Sequence, residues 1–151
     1  MSQITEPLNA THKKLVFTCG KDMLDVYIHK QANQDIKRKL SACFVINEKE
    51  TNLIKGYYTL SNNSIPSKFI PKQIQNKLPK SYQSIPTILL GRLAIDNKFQ
   101  GQGIGKIILI DALKRSYEIS KTIGSFAVVV DLIDQEAKNF YLKYGFILFA
   151  I

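Results

Sequence analysis

Residues 100 to 106 read Gln-Gly-Gln-Gly-Ile-Gly-Lys and stand between an apolar run ending at Ile95 and a long amphipathic stretch. Glycine at 101, 103 and 105 removes the Cβ atoms that would hold an anionic ligand away from the main chain. Where a helix begins, such a segment turns several N–H donors toward one point, and phosphate oxygens bind there. Spacing decides which phosphate ligand fits. A Walker-type loop ending at Gly105-Lys106 requires glycine at 100 and Ser or Thr at 107, where this chain has Gln100 and Ile107. A dinucleotide fingerprint starting at Gly101 or Gly103 requires a third glycine where Lys106 or Ile108 stands. What remains is Gln-x-x-Gly-x-Gly, a pyrophosphate cradle in the functional reading and a helix-capping glycine turn in the structural one.

Alternating elements must position this loop. Leu15 to Cys19 predicts a short strand stopped by Gly20, and Asp22 to about Lys39 a helix in which Leu24, Tyr27, Ile28 and Gln31 share a face, with a break near Asn33. Basic residues crowd its far end, where they complement the helix dipole. Ala42 to Asn47 and Leu53 to Leu60 predict a hairpin rich in strand-forming residues. Between Ser61 and Pro86 lie four of the five prolines and Lys68, Lys72, Lys77 and Lys80; this reads as a long connector, with a short helix over Phe69 to Lys77 led by Pro71.

Thr87 to Ile95 is a nearly continuous apolar strand, as expected of one buried on both faces, and it carries Gly91 and Arg92. Ile104 to Ser120 predicts the main helix, with Ile104, Ile107, Ile108, Ala112, Leu113 and Tyr117 inward and Lys106, Lys114 and Arg115 outward. Phe126 to Leu132 predicts another buried strand. Asp134 caps a last helix that carries Ala137, Phe140, Tyr141 and Tyr144 and ends at Gly145, and Phe146 to Ile151 begins a further strand. On periodicity alone Tyr141 belongs to a packing stripe.

A chain of 151 residues with 45% hydrophobic content buries one core and predicts a single domain over 1–151. Cys19 and Cys43 have no metal-ligand spacing and read as reduced packing residues. The first residues form no signal peptide and no apolar run reaches 18 residues, so the expectation is a cytoplasmic protein without a membrane span. Lys plus Arg number 21 against 12 Asp plus Glu, a formal charge of +9 with a pI near 9.5, which favours polyanionic partners, nucleic acid first.

Strand, helix, hairpin, central strand, glycine loop, helix, strand, helix, strand is the order of the GNAT superfamily of N-acetyltransferases. The chain resembles that superfamily over nearly its whole length. The resemblance sharpens through Phe17-Thr-Cys-Gly20, Leu24-Asp25, Phe44-Val45, Gly91-Arg-Leu-Ala-Ile-Asp96, the loop at Gln100, Phe140-Tyr141 and Gly145-Phe146. This combination is similar to the GNAT toxins of bacterial toxin–antitoxin pairs. It implies an α/β (α+β) GNAT fold, a mixed central sheet flanked by helices, here without the superfamily's usual last strand because the sequence stops at Ile151.

The resemblance further implies acetyl transfer from acetyl-coenzyme A to the α-amine of the amino acid on charged tRNA. It places Tyr141 as general acid, backbone N–H groups of Leu93, Ala94 and Ile95 on the cofactor, and Gln100, Gly101, Gln102, Gly103, Ile104, Gly105 and Lys106 on its pyrophosphate. Asn139 would reach the pantetheine arm. A phenol near pKa 10 is protonated at neutral pH and suits a departing thiolate. Thr87 to Ile95 holds no carboxylate that could serve as base. That suits the weakly basic amine of an aminoacyl ester better than a lysine, with Asp96, Asp131 or a water chain able to substitute. Arg92, Lys30, Lys37, Arg38 and Lys80 are the candidates for RNA phosphate contacts. The implied partners are charged tRNA, a ribbon-helix-helix antitoxin and a second copy in a homodimer. Two alternatives stand beside this reading: a GNAT enzyme acting on a protein or small-molecule amine, and an inactive domain kept as a binding module.

Overall fold

The computed structural model describes residues 4–149. Its elements, in chain order, are β1 (Glu6–Pro7), α1 (Asp22–Val26), a π-helical turn (Tyr27–Gln31), α2 (Ala32–Lys37), β2 (Ala42–Asn47), β3 (Ile54–Pro66), α3 (Lys72–Gln75), β4 (Ser84–Ile95), α4 (Ile104–Thr122), β5 (Ala127–Val130) and α5 (Gln135–Lys143). The described strands form one sheet in the order β1-β2-β3-β4-β5, antiparallel throughout except for the parallel β4–β5 pair.

Strand alternation sorts the apolar residues onto two faces. Cys43, Val45, Tyr57 and Ala94 pack with Leu24, Tyr27, Ile28 and Ala32, so the first helical segment covers one side. Phe44, Ile46, Tyr58, Leu60, Leu93 and Ile95 meet Ile104, Ile108, Ala112 and Tyr141, so α4 and α5 cover the other. This is the mixed, helix-flanked sheet that the element order implied.

Several expectations change. Leu15 to Cys19 is not a strand: Lys14–Val16 forms one turn of 3-10 helix, with Leu15 and Val16 exposed and Phe17 buried. Its backbone donors go to carboxylates instead of a ladder, Thr18 N–H to Asp96 Oδ2 at 3.0 Å and Cys19 N–H to Asp25 Oδ1 at 2.8 Å. The helix expected over Asp22 to Lys39 is interrupted at Tyr27–Gln31, earlier than Asn33. The long connector is mostly sheet, since β3 and β4 pair from Ser61 opposite Leu89 to Pro66 opposite Ser84. Cross-strand pairing there overrides the weak strand propensity of Ser61-Asn-Asn-Ser64. Only residues 67–83 remain as connector, with α3 led by Pro71.

On α4 the inward stripe is Ile104, Ile108, Leu109, Asp111, Ala112 and Ser116, while Ile107 and Tyr117 are exposed. Arg115 is not outward: it donates to Tyr58 Oη at 2.9 Å and to Thr5 Oγ1 at 3.1 Å, and Tyr58 donates to Asp111 at 2.7 Å. This buried network, with Thr5 also donating to Asp111, ties the N-terminal segment to α4. Phe146 to Phe149 forms no strand, and residues 150–151 of that expected strand lie outside the described residues.

Candidate active site

A change in strand pairing opens the site. β4 is paired with β5 only from Thr87 opposite Ala127 to Leu90 opposite Val130, yet it continues beside β3 as far as Ile95. From Gly91 onward one edge of β4 faces a cleft of about 310 Å³, because the chain leaves β5 at Asp131 and turns into α5. Alternate N–H and C=O groups of that stretch are bonded to β3, so those directed the other way are free to meet a ligand.

The glycine loop forms one end of this cleft. Gly101 and Gly103 have φ of +78° and +77°, a region disfavoured for side-chain-bearing residues, and a Cβ on either would meet no protein atom within 4 Å. Gly103 directly precedes α4, so the empty volume at these glycines lies at a helix N-terminus. Asp96, buried where β4 ends, accepts from Thr18 N–H and from Lys98 N–H at 2.9 Å, and so fixes the loop's departure. The Gln100 amide nitrogen reaches Ile95 O at 2.9 Å and Cys19 O and Asn97 Oδ1 at 3.1 Å. Its side chain therefore anchors the loop.

Tyr141 stands on α5, which Asp134 caps by accepting from Ala137 N–H at 2.8 Å. Its ring is buried between Phe140 and Phe146, at centroid distances of 5.2 and 5.1 Å. The hydroxyl makes no hydrogen bond to the described residues, and the side chain lines the cleft. Burial, reinforced by the charge of Asp131, pushes the phenol well above its ordinary pKa and keeps it protonated. Cys19 also lines the cleft, but burial pushes its thiol up to about 11, which withholds the thiolate needed of a nucleophile.

Of the residues singled out from the sequence, Arg92, Leu93, Ala94, Ile95, Gln100, Gly101, Gly103, Ile104, Gly105 and Tyr141 line this one cleft. Gln102 and Lys106 belong to the loop and first helical turn with exposed side chains. Asn139 does not enter the cleft. It is exposed and accepts from the Gln135 amide at 2.8 Å, because Ala137, Phe140 and Tyr141 form the inward face and 139 falls off it. Lys30, Lys37, Arg38 and Lys80 are exposed outside the cleft lining, and Asp96 is held by N–H donors whereas Asp131 borders the cavity. Lys21 was not legible as a site residue, since its salt bridges run to Asp134 and Glu136, far away in sequence.

A splayed parallel strand pair, a glycine loop entering a helix and a protonated tyrosine in one cleft define an acyltransferase of the GNAT class. Residues 39–148 match the Acetyltransferase (GNAT) domain family, and the chain belongs to it. It is 33% identical to the tRNA-acetylating toxin of Mycobacterium tuberculosis (strain ATCC 25618 / H37Rv), over 86% of this chain and 75% of that protein. A tyrosine-to-phenylalanine mutant of KacT superposes with a TM-score of 0.91 at 28% identity, over 99% of this chain and 90% of that one. AtaT complexed with acetyl-methionyl-tRNAfMet gives 0.89 at 27%, over 99% and 89%. A tyrosine mutant of AtaT bound to acetyl-CoA and the C-terminus of the antitoxin AtaR gives 0.79 at 25%, over 95% and 83%.

Proposed function

We propose that this chain is an acetyl-coenzyme A dependent N-acetyltransferase toxin that acetylates the α-amine of aminoacyl-tRNA and so stops translation. One observation carries the chemistry: a single cleft joins the glycine loop, the open edge of β4 and the Tyr141 side chain. The tRNA assignment rests on the relatives, one a tRNA-acetylating toxin and one solved with acetylated methionyl-tRNA.

The residues present fit the cofactor. Open space where a Cβ would stand at Gly101 and Gly103 admits pyrophosphate oxygens to the main-chain N–H groups, each charge-assisted bond contributing roughly 1.5–3 kcal/mol. Free N–H groups among Leu93 to Ile95 hold the pantetheine arm and polarise the carbonyl it carries. Ala137 leaves room beside them. Acetyl-coenzyme A supplies the activated acetyl group. The chain's own part is to orient it, exclude water and deliver a proton from Tyr141 Oη to the departing sulfur; the proton lost by the attacking amine leaves to solvent, and solvent reprotonates the tyrosinate for the next cycle. β4 carries no carboxylate, which suits an α-amine whose neutral form is common at pH 7 better than it suits a lysine of pKa about 10.4.

Arg92 in the cleft and Lys30, Lys37, Arg38 and Lys80 outside it would meet RNA phosphates. A ribbon-helix-helix antitoxin and a second copy are the expected protein partners, and the complex of AtaT with the antitoxin AtaR supports an antitoxin partner of whatever fold. No helix among the described residues is long and apolar enough to cross a membrane, which is consistent with action on tRNA in the cytoplasm. The test is acetyl transfer from labelled acetyl-coenzyme A to charged tRNA, deacylated tRNA, peptides and polyamines. We expect label on the esterified amino acid only. Ready acetylation of peptides or polyamines, with charged tRNA ignored, would overturn the reading.

A further inference from the structure

The β3–β4 ladder places Thr59 opposite Arg92 and Leu60 opposite Leu90, so Gly91 is an extra residue without a cross-strand partner. Such a bulge reverses the alternation and re-aims the side chains beyond it. Leu90 joins the core under α4, yet Arg92 emerges on the other face, where its guanidinium lies 3.6 Å from the centroid of the Tyr27 ring. Tyr27 is itself fixed. Its hydroxyl donates to Asp35 Oδ2 at 2.9 Å across the π-helical turn, and its ring stacks on Tyr57, whose hydroxyl donates to Leu24 O at 2.6 Å.

The chain contains its own comparison. Arg115 also lies on a ring, 3.8 Å from the Phe44 centroid, but its donors are taken up by Tyr58 and Thr5. Arg92 has the same support and lines the cleft, yet makes no hydrogen bond or ion pair to the described residues. Five donors of fixed geometry, held flat and left without a protein acceptor, match a phosphate oxygen pair. Three residue steps along β4 separate Arg92 from Ile95, about 10 Å, so Arg92 leaves the strand well inward of the cradle that takes the cofactor's pyrophosphate.

We propose that Tyr27, locked by Asp35, is a positioning residue that presents Arg92 to a phosphodiester near the 3′ end of the acceptor RNA. The inference rests on the function proposed above. It separates Arg92 from Lys30, Lys37, Arg38 and Lys80, which as exposed cations supply attraction without a fixed geometry.

The test compares the parent with Arg92→Lys, Tyr27→Phe, Tyr27→Leu and the double variant Arg92→Lys/Tyr27→Leu. Steady-state kinetics on charged tRNA are measured together with acetyl-coenzyme A affinity and thermal stability. Arg92→Lys keeps the charge but loses the fork, and should raise KM for charged tRNA about tenfold with acetyl-coenzyme A affinity within about twofold. Tyr27→Leu should do the same, and the double variant should be no worse than either single change. Tyr27→Phe keeps the ring, loses only the Asp35 anchor, and should raise KM two- to threefold.

Additive losses, or an unchanged KM in folded Tyr27→Leu, would overturn the proposal. If Tyr27→Leu does not fold, the cycle between Arg92→Lys and Tyr27→Phe decides by the same criterion. A parent that leaves charged tRNA unacetylated refutes the proposed function separately. Affinity for a CCA-ended RNA minihelix, measured by fluorescence anisotropy, then decides the platform: dependence on both residues upholds it, and indifference to either rejects it.

Discussion

Lys21 Nζ lies 3.0 Å from Asp134 Oδ2 and 3.4 Å from Glu136 Oε1, joining the approach to α1 with the cap of α5 across the mouth of the cleft. Burial alone would lower the Lys21 pKa, but the two carboxylates outweigh it and raise it; the Ala137 N–H and then Lys21 lower that of Asp134. The lowered carboxylate contributes stability above the unfolded aspartate value of about 3.9 and loses it as pH falls through the folded one. The raised lysine contributes below about 10.4 and loses it as pH rises past the folded value. Asp134→Asn keeps a capping side chain and loses the pair. The difference in Tm between parent and variant should be flat between about pH 5 and 9 and shrink on either side. A difference that grows on acidification would remove the pair from the account.

Tyr141→Phe should lower kcat by about 10²–10⁴-fold, the usual range for a positioned acid, while acetyl-coenzyme A affinity stays within about twofold. Because burial and Asp131 hold the phenol protonated, the parent should show no loss of rate from its ionisation up to about pH 9. Equal kcat in the two proteins would return Tyr141 to the packing stripe.

Gly103→Val should abolish acetyl-coenzyme A binding in calorimetry. The branched side chain enters the space at the helix start, where no protein atom lies within 4 Å, and it must adopt a φ of +77°. The conformational strain is about 1–2 kcal/mol, so the fold should survive with a reduced Tm. Unchanged affinity would sink the cradle.

Tyr58→Phe removes a donor to Asp111 and an acceptor for Arg115 inside a buried network. We predict a loss of about 1–3 kcal/mol in urea unfolding, and about 3–5 kcal/mol for Asp111→Ala, which removes the counter-charge of Arg115 and the acceptor of the Tyr58 and Thr5 hydroxyls. Acetyl-coenzyme A affinity should not change. A stability equal to the parent's would show that water replaces these bonds at no cost.

Lys37→Ala and Arg38→Ala should each weaken tRNA binding and reduce the slope of log K against log salt by about 1. Catalysis at saturating tRNA should persist. If neither change alters the slope, these cations are only a solvated helix end.

The sequence alone determined the features that depend on near neighbours. Three glycines in five positions after an apolar strand located the loop and the start of α4, and Asp134 followed by an apolar stripe located α5. The hairpin and the order of elements from α1 to α5 were legible in the same way, because periodicity and caps act within a few residues, whereas the strands expected at Leu15 to Cys19 and after Gly145 are not found among the described residues. Ser61 to Pro66 was not, since its polar residues form strand only against Ser84 to Leu89. The tertiary structure alone decided what depends on residues distant in the chain. A bulge at Gly91 turned Arg92 onto Tyr27, Cys19 and Ile95 claimed the Gln100 amide, Lys21 found Asp134, and helix phase kept Asn139 out of the cleft. Spacing along a chain specifies which face a side chain takes within one element; which element comes to meet it is set by packing of the whole sheet.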